Sequence, residues 1–289
     1  MTVDLENLQQ WIGNQQTKTD RLSLTPITGL AATLNRDLNS IAPGVDLPAL
    51  WHWLFFLEQA PQSQVAADGH AQKGNFLPAV PLPRRMWAGS RFKFHHPLLI
   101  DQQVQRVSTI KSIDAKQGKS GDLVFVCVQH ELSNDAGVAI EEEHDIVYRS
   151  NPPLADISQP LAEGKPAPQA RSFSKEINPD PVLLFRYSAL TFNGHRIHYD
   201  RNYVTEVEGY PGLIVHGPLL ASLLVELLHD YQPDSRLKEF EFKAIRPVFD
   251  LNKFSVCGHA SSDGEFDLWV EDHDGFLCMK AHAKVENIN

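Results

Sequence analysis

Residues 218–231 read PLLASLLVELLHDY, and nearly every position of this helical stretch is apolar. A helix with one wet side carries an apolar stripe only on the other, so one that is apolar all round is enclosed. Its start is marked by Gly217-Pro218, because proline at the first turn lacks only an N–H that has no intrahelical partner there. The surrounding apolar run, Gly212 to Leu228, is interrupted by His216, Pro218 and Glu226, and it is shorter than the roughly 20 residues that cross a bilayer. A buried helix inside a sheet is the expectation.

Strand patterns follow it. Glu239-Phe-Glu-Phe242 leads through Pro247-Val248 to Asp250, then come alternation from Lys253 to Cys257, a strand after Gly264, an acidic turn Asp272–Gly275 and a closing strand from Phe276 to Val285. The same order stands earlier: Arg91-Phe-Lys-Phe94, Pro97-Leu98, Asp101, alternation from Gln105 to Ile113, a strand after Gly121, the turn Asn134–Gly137, and Val138 to Tyr148. Turns rich in Asp, Asn and Gly between alternating runs are hairpin signals. Matching the copies needs a two-residue insertion between Phe242 and Pro247. The earlier copy has its own apolar segment, LPALWHWLFFLEQ at 47–59, read as its helix. An α+β chain is expected, two antiparallel sheets each curved round a central helix. Residues 151–168, with five prolines, read as a linker between a unit at 1–150 and one at 169–289.

With 26 Lys+Arg against 36 Asp+Glu, the net charge of −10 over 289 residues argues against nucleic acid or an anionic membrane as partner. Cys127, Cys257 and Cys278 are too few and scattered for a disulfide framework, form no C-x-x-C pair, and sit in strand patterns that imply buried, inert thiols. The opening MTVDLENLQQW has neither an apolar core nor arginines, so no targeting peptide is expected and the cytoplasm is the expected compartment.

Polar chemistry concentrates between Tyr187 and Pro218. Asn193-Gly-His195-Arg196-Ile-His198 gathers an amide, two imidazoles and a guanidinium among apolar neighbours, and Tyr210-Pro-Gly-Leu-Ile-Val-His216-Gly217-Pro218 runs into the helix start. Backbone N–H groups and the positive helix end suit an anionic oxygen there.

The segment Phe185 to Asp200, with Tyr210, Pro211, Val215, His216, Gly217 and Pro218, resembles the MaoC-like (R)-specific enoyl-CoA hydratases and hydroxyacyl-thioester dehydratases, in particular their double hot dog branch. Pro83-Arg-Arg-Met-Trp-Ala-Gly89 is similar to that branch as well. The resemblance implies a double hot dog fold and addition of water to a 2-enoyl thioester, or the reverse. It places His198 at the family's catalytic histidine and Asn193 where the wider family has aspartate. An amide is no base, so proton transfer falls to His198, with Asn193 holding the water and Gly217 donating its N–H to the thioester oxygen.

His195, Arg196 and His216 are expected around the substrate, His195 bracing the loop and His216 capping or packing at the helix start, while Asp200 caps the following turn. Arg84 and Arg85, beside Trp87, are candidates for an acyl chain ending in a carboxylate, and Arg246 for a CoA phosphate. No metal is expected, since His195 and His198 lack further ligands at suitable spacing, and no cofactor beyond the substrate's own CoA or carrier arm. The first half, without a counterpart of Asn193 and His198, is expected to cover the substrate. A short dicarboxylyl-CoA hydratase leads; a fatty (R)-3-hydroxyacyl thioester dehydratase, an acyl-CoA thioesterase and a non-catalytic acyl-thioester binder remain open, as do monomer and homodimer.

Overall fold

The computed structural model describes residues 3–118, 121–150 and 163–288. Ten strands form one antiparallel sheet: β1 (Gln15–Arg21), β2 (Arg84–Phe94), β3 (Gln103–Gly118), β4 (Gly121–Asn134), β5 (Gly137–Arg149), β6 (Phe173–Ile177), β7 (Ser235–Ala244), β8 (Phe254–Ser262), β9 (Glu265–Glu271) and β10 (Leu277–Asn287). Their order is β1-β3-β4-β5-β2-β7-β10-β9-β8-β6, so the two expected sheets are one continuous sheet with β2 against β7 at its middle. Gly89 stands at that joint beside a bulge, where an added Cβ would lie 2.3 Å from the Phe242 carbonyl oxygen. Only glycine lets the two backbones approach so closely.

Among the described residues four α-helices accompany the sheet: α1 (Leu5–Gln9), α2 (Leu24–Thr33), α3 (Pro181–Leu190) and α4 (Gly217–Tyr231). Leu219 to Val225, Leu227 and Leu228 of α4 are all buried, as an enclosed helix requires. Glu226, the charge interrupting that run, accepts from the Trp51 indole N–H at 3.0 Å and pairs with Arg36, binding α4 to the first half. No helix among the described residues is long and apolar enough to cross a membrane.

The helix expected over 47–59 does not form. Only Trp51–Leu54 makes a 3-10 turn, entered from Leu50 at φ 68 and followed by Phe56 at φ 57. Left-handed residues on both sides interrupt any helical ladder. The apolar side chains still belong to the core, with Leu50, Trp51, Leu54, Phe55 and Phe56 buried. Burial explains the composition without a helix.

The expected two-residue insertion disappears as well. β2 ends at Phe94 and β7 at Ala244, and five residues later Leu99 bridges Asp46 while Phe249 bridges Ile214. Phe92 therefore corresponds to Phe242, and Pro97 to Pro247. Sliding a strand match by two residues preserves its faces, so strand alternation fits both alignments equally. The correspondence reaches the helices: α2 and α3 are followed by Asn35 at φ 58 and Phe192 at φ 50. From those residues to the matching Val45 and Leu213 the chain takes 10 residues in the first half and 21 in the second. The longer return loop contains His195 and His198.

Residues 151–162 of the expected linker lie outside the described residues. Its end is not irregular, because Pro166 bridges Phe276 and Ala167 N–H donates to Gly275 O at 2.9 Å. In the first half Glu142 is buried, accepting from the Trp53 indole N–H at 3.3 Å beside His52 Nε2 at 3.3 Å. Burial raises the Glu142 carboxyl, but the imidazoles around it overcome this and hold it down at about 2.

Candidate active site

Asp180 caps α3 by accepting from the N–H groups of Val182 and Leu183, and the helix ends at Thr191. The left-handed Phe192 then turns the chain into the loop 193–200. Asn193 Oδ1 accepts the His195 N–H at 3.0 Å, which fixes the amide with its NH₂ as donor and one Oδ1 lone pair left over. Arg196–His198 forms one 3-10 turn, and His198 is buried with Nδ1 2.7 Å from Ile214 O. A carbonyl only accepts, so Nδ1 carries the hydrogen and Nε2 keeps its lone pair. Burial pushes the His198 imidazolium down to about 4, so the ring is a neutral base at pH 7.

His198 stacks on His216 at 3.8 Å between centroids. His216 is wholly buried, bonds Ser188 Oγ through Nε2 at 2.8 Å, and occupies the N-cap position of α4 with no side-chain bond to the helix. It packs rather than caps. Pro218 has no N–H, and Leu220 N–H already donates to His216 O, so Gly217 and Leu219 carry the helix-start donors that lack an intrahelical acceptor. A Cβ added at Gly217 would meet no atom within 4 Å, so the donor end opens onto free space. The site thus has a base and, next to the ring that base stacks on, oriented helix-start donors where an oxyanion could be stabilised.

Comparisons with known proteins give the family. The model of the family hydroxyacyl-thioester dehydratase type 2 matches residues 50–250. The chain belongs to that family. It is 44% identical over 277 residues to mesaconyl-C(4)-CoA hydratase of Chloroflexus aurantiacus, covering 95% of this chain and 96% of that protein. It is 30% identical to the mitochondrial hydroxyacyl-thioester dehydratase type 2 of Schizosaccharomyces pombe, covering 87% and 91%. A MaoC-like dehydratase from Phytophthora capsici superposes with a TM-score of 0.71 at 13% identity, over 99% and 98% of the chains, a likeness of fold. The double hot dog α+β class and the hydro-lyase activity expected from sequence both hold.

Within this chain the arginines divide. Arg84 pairs with Glu208 at 2.7 Å and donates to the Tyr210 hydroxyl at 3.3 Å, joining β2 to the second half. Arg196 grips Asp200, donates to Ala67 O at 3.1 Å and covers the Tyr203 ring, while Asp200 caps the turn through the Tyr203 N–H. Arg246 pairs with Asp272 at 3.4 Å. Trp87, half-buried, donates to Ser90 Oγ at 2.9 Å, lays its ring on His144 at 3.9 Å and meets Phe242 of the second half at 6.2 Å, and it is not among the residues lining the Arg85 cavity. Arg85 differs: it lines a cavity of about 270 Å³ with Asp68, His70 and Lys73, and among the described residues no carboxylate pairs with it.

That cavity exposes what the sequence reading of the dehydratase missed. The first-half loop 66–70 lies across the catalytic loop, with Arg196 N–H donating to Asp68 O at 2.9 Å. Gly69, at φ +92, is so close to Gly194 that a Cβ would fall 1.8 Å from its carbonyl oxygen. Asp68 Oδ2 holds His70 Nδ1 at 2.9 Å, and the His70 ring meets His195 at 4.0 Å, which meets His198 at 5.5 Å. The only sequence signal was Asp68-Gly-His70 in a polar stretch, far along the chain from residue 198. Asp68, His70 and His195 offer ligand atoms within 4.8 Å of one another, but Arg85 and Lys73 on the same cavity oppose a cation. Burial raises the three thiols, to about 11 for Cys127 and Cys257 and about 12 for Cys278, so they are protonated at neutral pH.

Burial also lowers His144 to about 4, His130 to about 3 and His195 to about 2. The unfolded chain protonates its histidines near pH 6.5, the folded one only well below, so protonation favours unfolding from pH 6.5 downward. The low Glu142 pKa acts in the same direction below pH 4.5. Each such histidine removes about 1.4 kcal/mol of stability per pH unit. The expected result is a melting temperature nearly level from pH 7 to 8 and falling steeply from 6.5 to 5, read by calorimetry; a level profile down to pH 5 contradicts it.

Proposed function

We infer that this hydro-lyase adds water to a short 2-enoyl-CoA ending in a carboxylate and forms the 3-hydroxyacyl-CoA, reversibly. One observation carries the proton chemistry: His198 is buried and neutral, its Nδ1–H fixed on Ile214 O, beside the open start of α4. Nε2 takes a proton from water as the water oxygen bonds to C3. The π electrons move to the thioester oxygen, facing Gly217, and the proton on His198 passes to C2.

Arg85 supports the substrate class. In a short dicarboxylyl thioester the far carboxylate lies on or beside the carbon that water attacks, so its recognition group must be near the base. The Arg85 cavity lies two ring contacts from His198, through His70 and His195, and at about 270 Å³ it is below the roughly 300–1,000 Å³ of sites for drug-sized ligands. The mesaconyl-C(4)-CoA hydratase relative favours the same class. In this reading the first half covers the site and carries none of its own, the cofactor is none beyond CoA, and the compartment is the cytoplasm. The test is incubation with mesaconyl-C4-CoA, itaconyl-CoA and crotonyl-CoA, following the enoyl absorbance and free thiol. Absorbance lost without thiol is expected; thiol release would make it a thioesterase, and no change in either a binder.

A further inference from the structure

The hydratase reading leaves the Asp68–His70 pair without a task, although the first half holds it against the catalytic loop. We propose that His70, oriented by Asp68, accepts the second hydrogen of the reacting water and is a catalytic residue supplied by the first half.

The attacking water has two hydrogens. His198 Nε2 takes one, and the other, which stays on oxygen as the product hydroxyl, needs an acceptor in a site sheltered from solvent. Asn193 is the weaker acceptor, since its neutral Oδ1 already shares its density with the His195 N–H and its NH₂ only donates. His195 has no partner among the described residues that fixes its tautomer. His70 has one. Asp68 Oδ2 takes the Nδ1 hydrogen at 2.9 Å and Asp68 Oδ1 accepts the His70 backbone N–H at 3.0 Å, so the ring is fixed and Nε2 keeps its lone pair. A carboxylate behind an imidazole also raises its strength as an acceptor. Nε2 has no hydrogen bond among the described residues, and the ring lines the cavity.

The Gly69–Gly194 approach and the Asp68–Arg196 backbone bond hold this loop where it is. His195 touches both rings, at 4.0 Å from His70 and 5.5 Å from His198, so the three imidazoles form one cluster. The step balances without consuming His70: the C3–O bond forms, His198 gains the proton it returns to C2, and His70 holds a hydrogen bond throughout.

The test uses crotonyl-CoA, which has no terminal carboxylate, so recognition by Arg85 does not enter. His70→Ala is expected to lower kcat at least about tenfold, the scale of one hydrogen bond lost from a reacting group, with KM within threefold. Adding Asn193→Asp, which puts a carboxylate acceptor on the catalytic loop, should recover most of that loss, whereas a loop that His70 merely braced would not be repaired from position 193. A kcat within threefold of wild type in His70→Ala, or a loss that Asn193→Asp leaves untouched, overturns the proposal. Should His70→Ala fail to fold, Asp68→Asn takes its place under the same two criteria. Wild-type hydration of crotonyl-CoA, measured alongside, tests the hydratase reading separately: if wild type and His70→Ala hydrate equally well, that reading stands and this inference falls.

Discussion

His198→Ala should lower kcat by about 10²–10⁴-fold, the range that general acid–base catalysis contributes. The neutral Nε2 of His198 is the base in the proposed step, and its Nδ1 is already bonded to Ile214 O. The alanine variant also removes a ring stacked on His216, so His198→Asn is the companion: its NH₂ can still donate to Ile214 O, yet an amide takes no proton. Both variants should lose turnover, and the asparagine form should keep a melting temperature near wild type. More than a tenth of the wild-type rate in either would remove His198 from the chemistry. Because burial places the His198 imidazolium at about 4, kcat/KM of the wild type should stay level between pH 6 and 8, with the base deprotonated throughout.

Arg85→Glu should cost a dicarboxylyl-CoA substrate far more than crotonyl-CoA. A desolvated carboxylate facing a like charge loses its hydrogen bonds and its Coulomb partner, a penalty of about 2–5 kcal/mol, while a methyl end loses only packing. Arg84→Glu is the contrast, because it breaks the pair with Glu208 and should impair both substrates equally along with stability. Equal losses in kcat/KM for both substrates with Arg85→Glu would detach this cavity from carboxylate recognition and favour hydroxyacyl thioesters of fatty-acid metabolism.

The neighbouring arginines show how much of the site was legible. Arg84 and Arg85 have the same chemistry and adjacent positions, but strand alternation sends them to opposite faces of β2, one towards Glu208 and the other into the cavity. The sequence signals both as candidates, and only the partners across the fold separate them. Trp87 has the composition of an acyl wall, yet Ser90 and His144 engage it first.

His198, Asn193 and Gly217 stand out as candidates because their signals are local: a polar hexapeptide between apolar residues, and a Gly-Pro helix start before a largely apolar run. The hairpin strands of each half were accessible for the same reason, since alternation and Asp/Asn/Gly turns act over a few residues. Tertiary structure decided the rest. The segment 47–59 has the apolarity of a helix but gives way at Leu50 and Phe56, because core burial rewards apolar side chains in any backbone conformation. Asp68 and His70 reach His195 across more than a hundred residues, through a backbone approach that Gly69 and Gly194 permit. Periodicity carries information about neighbours within a turn or a hairpin; which loop closes over which is set by the joining of β2 to β7, a contact between segments about 150 residues apart that no turn connects.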